Sequence, residues 1–232
     1  MTSEVLRYPA GAGRTVWVRF GDAADGDLAV TAPADLLAER RAAIHSSRWT
    51  WLRQVHGAEV VVVTEPGEGA GAEADAAVTD RPMVPLAVHT ADCAPVALWS
   101  DEGVIGAIHA GWRGLLVGVV ANCCRHMHRL GAGDLFAAVG PCISAARYEF
   151  GRDELALLEQ RFGPAVVGHT TEGGPALDLR AAVSAALRQQ DVSLVEVSPV
   201  CTAESDRHFS HRARRDARRQ ATVVWLESSG PT

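Results

Sequence analysis

Between Leu86 and Gly114 the chain reads LAVHTADCAPVALWSDEGVIGAIHAGWRG. This holds two apolar runs, each too short for a helix, separated by one polar turn. The runs predict strands over Pro95–Trp99 and Val104–His109, joined by Ser100-Asp101-Glu102-Gly103. In an antiparallel hairpin, directly opposed residues share a face. A loop of three or five residues centred on Asp101 sets Cys93 opposite His109, so a thiol meets an imidazole at the open end. A four-residue loop shifts the register by one and separates them onto opposite faces unless a bulge intervenes.

A cysteine near a strand is usually a small core residue, and a histidine at a strand end is usually a satisfied polar group. Here both are bracketed by residues that interrupt regular structure: Pro95 beside Cys93, and Gly111 and Gly114 just after His109. Such breaks are where sites are built. The helix predicted over Leu115–Leu130, ended by Gly131, begins directly after Gly111–Gly114. That start, with Arg113, could hold an anion. Its alternative is a simple tight turn.

Elsewhere, strands are expected at Thr15–Phe20, Glu59–Thr64, Ala74–Thr79, Leu135–Val139, Ser193–Val200 and Ala221–Leu226. A helix over Pro33–His45 should turn Leu36, Leu37, Ala43 and Ile44 inward. A second, capped by Ser144, should run through Tyr148 to about Phe162. Asp178 should cap a third, ending near Gln190. His126 and His128, two apart on one helix, should be solvated. Arg207–Arg219 carries six arginines, read as a solvated face that could also take a phosphate or carboxylate. No repeat or linker divides residues 1–232, so one domain is expected.

Several classes drop out. With 22 basic against 28 acidic residues the net charge is −6, which favours neither nucleic acid nor an anionic membrane. No apolar run approaches the ~20 residues of a membrane span. The opening MTSEVLRYPAGAGR lacks the layout of a signal peptide, and five cysteines, two of them adjacent, do not form a disulfide framework. A cytoplasmic protein is expected. There is no P-loop, no GxGxxG and no deaminase H-x-E with P-C-x-x-C.

His56 stands beside Gly57 at a strand entrance, as His109 stands beside a strand exit. Two imidazoles and one thiolate form a three-ligand zinc set with a fourth position for water, whose pKa such a metal lowers to about 7. Three other readings use the same residues. A blue-copper site needs an axial methionine, and neither Met83 nor Met127 is well placed. A metal-free hydrolase would use Cys93 as nucleophile and His109 as base, assisted by Asp92. A structural zinc would need a fourth ligand such as His89 or Asp92.

QVHG (Gln54–Gly57), TADCAP (Thr90–Pro95), HAGWRG (His109–Gly114), and GPCI followed by YE (Gly140–Ile143, Tyr148-Glu149) together resemble the YfiH-type family. Its members are variously called multicopper polyphenol oxidase, purine nucleoside phosphorylase and peptidoglycan editing factor. The resemblance implies an α+β fold, a single domain with mixed β-sheets flanked by helices. It implies zinc, or less readily copper, held by His56, Cys93 and His109. The implied reaction is phosphorolysis of adenosine, inosine and methylthioadenosine with deamination of adenosine; the implied alternative is amide hydrolysis of a muropeptide precursor. Asp92, Cys93 and Arg113 would then be catalytic. Gln54, Gly111, Gly114, Tyr148, His211 and Arg212 would contact nucleoside or phosphate. A monomer or homodimer acting on small molecules is expected. Two stretches depart from the family pattern: FGDAADGDLAV is shorter and more acidic, and FSHRARRDARR lacks the Asp-Gly and Thr-Gly elements, which implies a different substrate preference.

Overall fold

The computed structural model describes residues 5–228; the first four residues, with which the leader reading begins, lie outside them. In chain order β1 (Val5–Ala10) and β2 (Arg14–Phe20) form a hairpin, followed by α1 (Ala34–Ile44). Then come β3 (Thr50–Arg53), β4 (Val60–Val62), β5 (Ala72–Glu73), β6 (Ala76–Thr79) and β7 (Leu86–Thr90). The predicted hairpin is β8 (Ala94–Ser100) and β9 (Ile105–Ala110), followed by α2 (Trp112–Val117) and α3 (Val119–Arg129). The remainder is β10 (Leu135–Val139), α4 (Arg152–Phe162), β11 (Val167–His169), β12 (Pro175–Leu177), α5 (Leu179–Arg188), β13 (Ser193–Val197), α6 (His211–Arg214) and β14 (Gln220–Ser228).

The strands build two six-stranded mixed sheets, ordered β1-β2-β14-β7-β3-β5 and β13-β10-β8-β9-β6-β4. Side-chain alternation assigns their faces. Val16, Val18, Leu86, Val88 and Val224 of the first sheet pack against Ala97, Trp99, Ile105 and Ala107 of the second. The opposite face of the second sheet (Val78, Val96, Leu98, Ile108) meets residues of α3, α4 and α5. The opposite face of the first (Ala87, Val223, Trp225) meets Leu37 of α1 and Trp49. The expected helix-flanked mixed sheets are therefore present as helix, sheet, sheet, helix. No helix among the described residues is long and apolar enough to cross a membrane.

The hairpin register differs from expectation by two residues. Pro95 opposes His109 and Ala94 opposes Ala110, because the turn is centred on Glu102 rather than Asp101. A shift of two preserves the face, so Cys93 and His109 remain on one side, diagonal rather than opposed. The helix expected over Leu115–Leu130 is instead two, broken at Gly118, whose φ of 91° ends α2 and starts α3. Ser144 does not cap the next helix: its hydroxyl donates to Cys201 Sγ at 3.2 Å, and α4 starts only after Gly151. Of the four residues expected inward on α1, Leu37 is buried and Ile44 half-buried. Leu36 and Ala43 are exposed, because one short helix covers only part of its sheet. Asp178 does cap α5, accepting from Ala181 N at 2.9 Å.

The two divergent loops face each other. Asp27 Oδ1 accepts from Arg219 N at 3.0 Å, Leu28 N donates to Arg219 O at 2.9 Å, and Asp22 pairs with Arg207. The arginine-rich run is mostly occupied in holding its own loop. Arg214 donates to the Thr202 and Ala203 carbonyls, and Arg218 pairs with Asp216 at 2.6 Å.

Close approach of α3 to β9 depends on Gly106, where an added Cβ would lie 3.1 Å from Met127 Sδ and 3.2 Å from Cys123 Sγ. Gly106→Val should therefore destabilise the protein by about 2 kcal/mol through overpacking, read as a lower denaturant midpoint at unchanged slope.

Candidate metal centre

The site begins with a carboxylate that the sequence reading did not single out. Asp75 immediately precedes β6 and is wholly buried. Its backbone carbonyl accepts from His109 N at 2.8 Å, continuing the β6–β9 ladder by one pair. Its side chain is surrounded by donors. Oδ2 accepts from the backbone N of Val55 at 3.1 Å and of Gly57 at 2.7 Å; Oδ1 accepts from His56 N at 3.0 Å. Oδ1 also lies 2.7 Å from His109 Nδ1. Burial disfavours the carboxylate charge, but the bond from His109 and those from the backbone outweigh it and lower the Asp75 pKa. The ionised carboxylate can only accept, so Nδ1 of His109 carries the proton and Nε2 is left to face the site.

The same carboxylate shapes the loop that carries His56. His56 has φ 58°, a left-handed conformation that costs a non-glycine residue free energy unless its surroundings hold it. Here three consecutive amides, Val55 to Gly57, close on Asp75. His56 is thereby placed edge-on to His109, with ring centroids 4.8 Å apart. Cys93 reaches the pair from the bend that leads into β8, and the ligand atoms of His56, Cys93 and His109 lie within 4.8 Å of one another. Gly111 leaves the room for this: a Cβ there would fall 2.6 Å from His56 Nδ1 and 3.3 Å from Cys93 Sγ.

Charge follows geometry. Burial raises the cost of a Cys93 thiolate, yet His109 and His56 prevail and bring the thiol down to about 6. Burial also disfavours the His109 cation, but Cys93 and Asp75 lift it to about 9. Burial pushes the thiols of Cys123, Cys124 and Cys142 the other way, the last two to about 12. Of these four thiols, only the one at the site is held toward the thiolate. Two imidazoles and a thiolate, with one imidazole braced by a carboxylate, form a donor set that fits a metal ion. Among the described residues no fourth ligand atom joins the group, and neither His89 nor Asp92 belongs to it.

The triad opens into a cavity of about 350 Å³ whose wall includes Gln54, His89, Thr90, His211 and Arg219. Gln54 does not present a free amide to it. Its Nε2 donates to His89 O and its Oε1 accepts from His89 N, both at 2.7 Å, splinting β3 to β7. Asp92, at φ 103°, has both oxygens engaged: Oδ1 accepts from Thr202 Oγ1 at 2.7 Å and Oδ2 from Arg212 N at 2.6 Å. Arg212 lies over the Tyr148 ring at 4.7 Å, and Arg113 over Trp112 at 4.2 Å. Burial raises the Tyr148 pKa, Cys93 and Asp92 raise it further, and Arg212 and Arg113 oppose them. These residues therefore gather near Cys93, and none of them is among the residues lining the cavity. Gly114 serves packing, since a Cβ there would lie 3.0 Å from Gly57 O.

The sequence signal that could have revealed Asp75 was available. It is a lone carboxylate inside the run Ala74–Thr79, which reads as a buried strand, and a buried charge needs partners.

Comparison places these features among known proteins. A family model described as multi-copper polyphenol oxidoreductase laccase matches residues 20–227. A protein of Streptomyces coelicolor named purine nucleoside phosphorylase is 42% identical over 214 residues, covering 89% of this chain and 86% of that one. One so named from Deinococcus radiodurans is 39% identical over 181 residues, covering 75% and 69%. A solved Neisseria meningitidis structure superposes with a TM-score of 0.82 at 26% identity, covering 98% of this chain and all of that one. A Bacillus licheniformis hypothetical protein, YfiH, shares the fold with a TM-score of 0.79 at 24% identity, covering 91% and 93%.

Two outcomes are expected. Asp75→Asn should weaken zinc binding roughly 10- to 100-fold, measured by competition with a chromophoric chelator. In metal-free protein, iodoacetamide should modify Cys93 at a rate that falls as pH drops through about 6, because the depressed pKa keeps the thiolate above that point.

Proposed function

This chain belongs to the multi-copper polyphenol oxidoreductase laccase family, and we propose that within it the protein is a zinc-dependent purine nucleoside phosphorylase. The observation that carries this reading is the His56–Cys93–His109 group opening into a cavity of about 350 Å³, within the size range of small-molecule sites, in a chain whose relatives bear that name. Its substrates would be adenosine, inosine and methylthioadenosine. Deamination of adenosine, water replacing the 6-amino group as ammonia leaves, is assigned to the same cavity. The donor set suits zinc, and no methionine is among the described cavity-lining residues to serve as the axial ligand of a blue-copper site.

When bound by His56, Cys93 and His109, zinc supplies a Lewis acid in the cavity wall. The chain's own residues account for the rest. Asp75 fixes the His109 tautomer and holds the His56 loop. Gly111 keeps the space between them open. Arg113 and Arg212, gathered around Tyr148, are the cations assigned to phosphate, and Asp92 acts by placing the Arg212 backbone. In phosphorolysis a phosphate oxygen forms a bond to C1′ of the ribose as the bond from C1′ to the purine nitrogen breaks. The electron pair leaves with the base, which takes up a proton. His211, exposed at the cavity rim, is the group placed to deliver it.

The test is chromatography of adenosine and inosine incubated with zinc-loaded protein, with and without phosphate. Adenine and hypoxanthine should form only with phosphate, and Arg212→Ala should raise the KM for phosphate. Absence of base release in both tubes would overturn the reading. Inosine from adenosine without phosphate would leave only the deaminase part standing.

A further inference from the structure

We infer that His89 and Thr90 form a hydrogen-bonding wall that receives the neutral polar edge of the nucleoside, making His89 a specificity-determining residue; this rests on the nucleoside reading above. His89 sits near the end of β7, opposite Ala221 of β14, and is 6% exposed. Neither its Nδ1 nor its Nε2 has a hydrogen-bond partner among the described residues, and neither does Thr90 Oγ1. Both residues line the cavity that holds His56, Cys93 and His109. Buried polar atoms are nearly always paired, so the unpaired ring nitrogens of His89, with the unpaired Thr90 Oγ1 on the other face of the same strand end, indicate atoms that a ligand in this cavity completes.

The backbone around His89 is held firmly while its ring is left free. The Gln54 side chain bonds both the N–H and the C=O of His89, fixing the strand without touching the imidazole. The ring is also kept neutral. Burial lowers its pKa to about 3, aided by the nearby cations Arg41, His109 and Arg219. A neutral imidazole has one donor and one acceptor nitrogen, and the Thr90 hydroxyl can do either. The complementary ligand therefore presents both donors and acceptors without charge. A purine edge and a ribose diol both do this. Phosphate offers mainly acceptors and fits the arginines near Tyr148 better.

The experiment compares wild-type, His89→Phe, His89→Gln and Thr90→Val proteins, each loaded with zinc and assayed for metal content and thermal midpoint. Phosphorolysis of adenosine, inosine and 2′-deoxyadenosine is followed at saturating phosphate. H89F keeps the ring volume but removes both nitrogens, and should raise the nucleoside KM roughly tenfold with kcat within about twofold and zinc content unchanged. H89Q, which restores a donor and an acceptor, should recover most of the loss. T90V should raise KM by a smaller factor, and carries the same test should H89F fail to fold. An H89F penalty that shrinks with the deoxynucleoside assigns the contact to the ribose; one that differs between adenosine and inosine assigns it to the base. Folded, zinc-replete H89F with KM within twofold of wild type overturns the inference while the phosphorylase reading stands. So does H89F that folds but loses zinc, since His89 would then be a metal-positioning residue. An inactive wild-type protein sinks both.

Discussion

A single buried carboxylate, Asp75, organises the site. Removing such a charge from water is costly unless it is fully hydrogen-bonded, and here three backbone amides and one imidazole meet it. Those donors come from two places far apart in sequence: the His56 loop and the end of β9. Satisfying the carboxylate therefore brings together two of the three ligand residues and fixes which nitrogen of His109 faces the third. Coulombic coupling then spreads outward. The protonated Nδ1 side of His109 answers Asp75, its opposite side answers Cys93, and the thiol becomes acidic.

Rigidity comes from the sandwich beneath. β8 and β9 are buried along their whole length, so Cys93 and His109 project from a platform that cannot relax. The walls above are loops, and the two whose sequences depart from the family pattern are joined to each other through Asp27 and Arg219 and through Asp22 and Arg207. Ala29 to Thr31 on one side and His211, Ala217 and Arg219 on the other contribute to the cavity wall. Variation in either loop thus reshapes the cavity while the metal ligands stay on the rigid platform.

Much of this was legible in the chain itself. The apolar runs around Cys93 and His109 predicted the central hairpin. Even with the turn displaced by one residue, parity kept thiol and imidazole on one face, because side-chain alternation has a period of two. Leu135–Val139 and the Asp178 cap also appear where local pattern places them. Local pattern failed where tertiary contacts dominate. β3 and β7 are short and gain their stability from neighbouring strands, and the break at Gly118 needs only one residue with positive φ. Ser144 had the chemistry of a cap but found a better partner in Cys201.

The sequence by itself determined the ligand types, their placement at strand ends, and the face shared by Cys93 and His109, since these depend on periodicity and side-chain chemistry. Only the tertiary structure decided how the His56 loop reaches them, that Asp75 braces both histidines, and that the arginine-rich loop closes against an acidic one. Each of these is a pairing across many residues of chain, fixed by the need to satisfy buried charge and backbone amides. That requirement exists only once the sheets have excluded water.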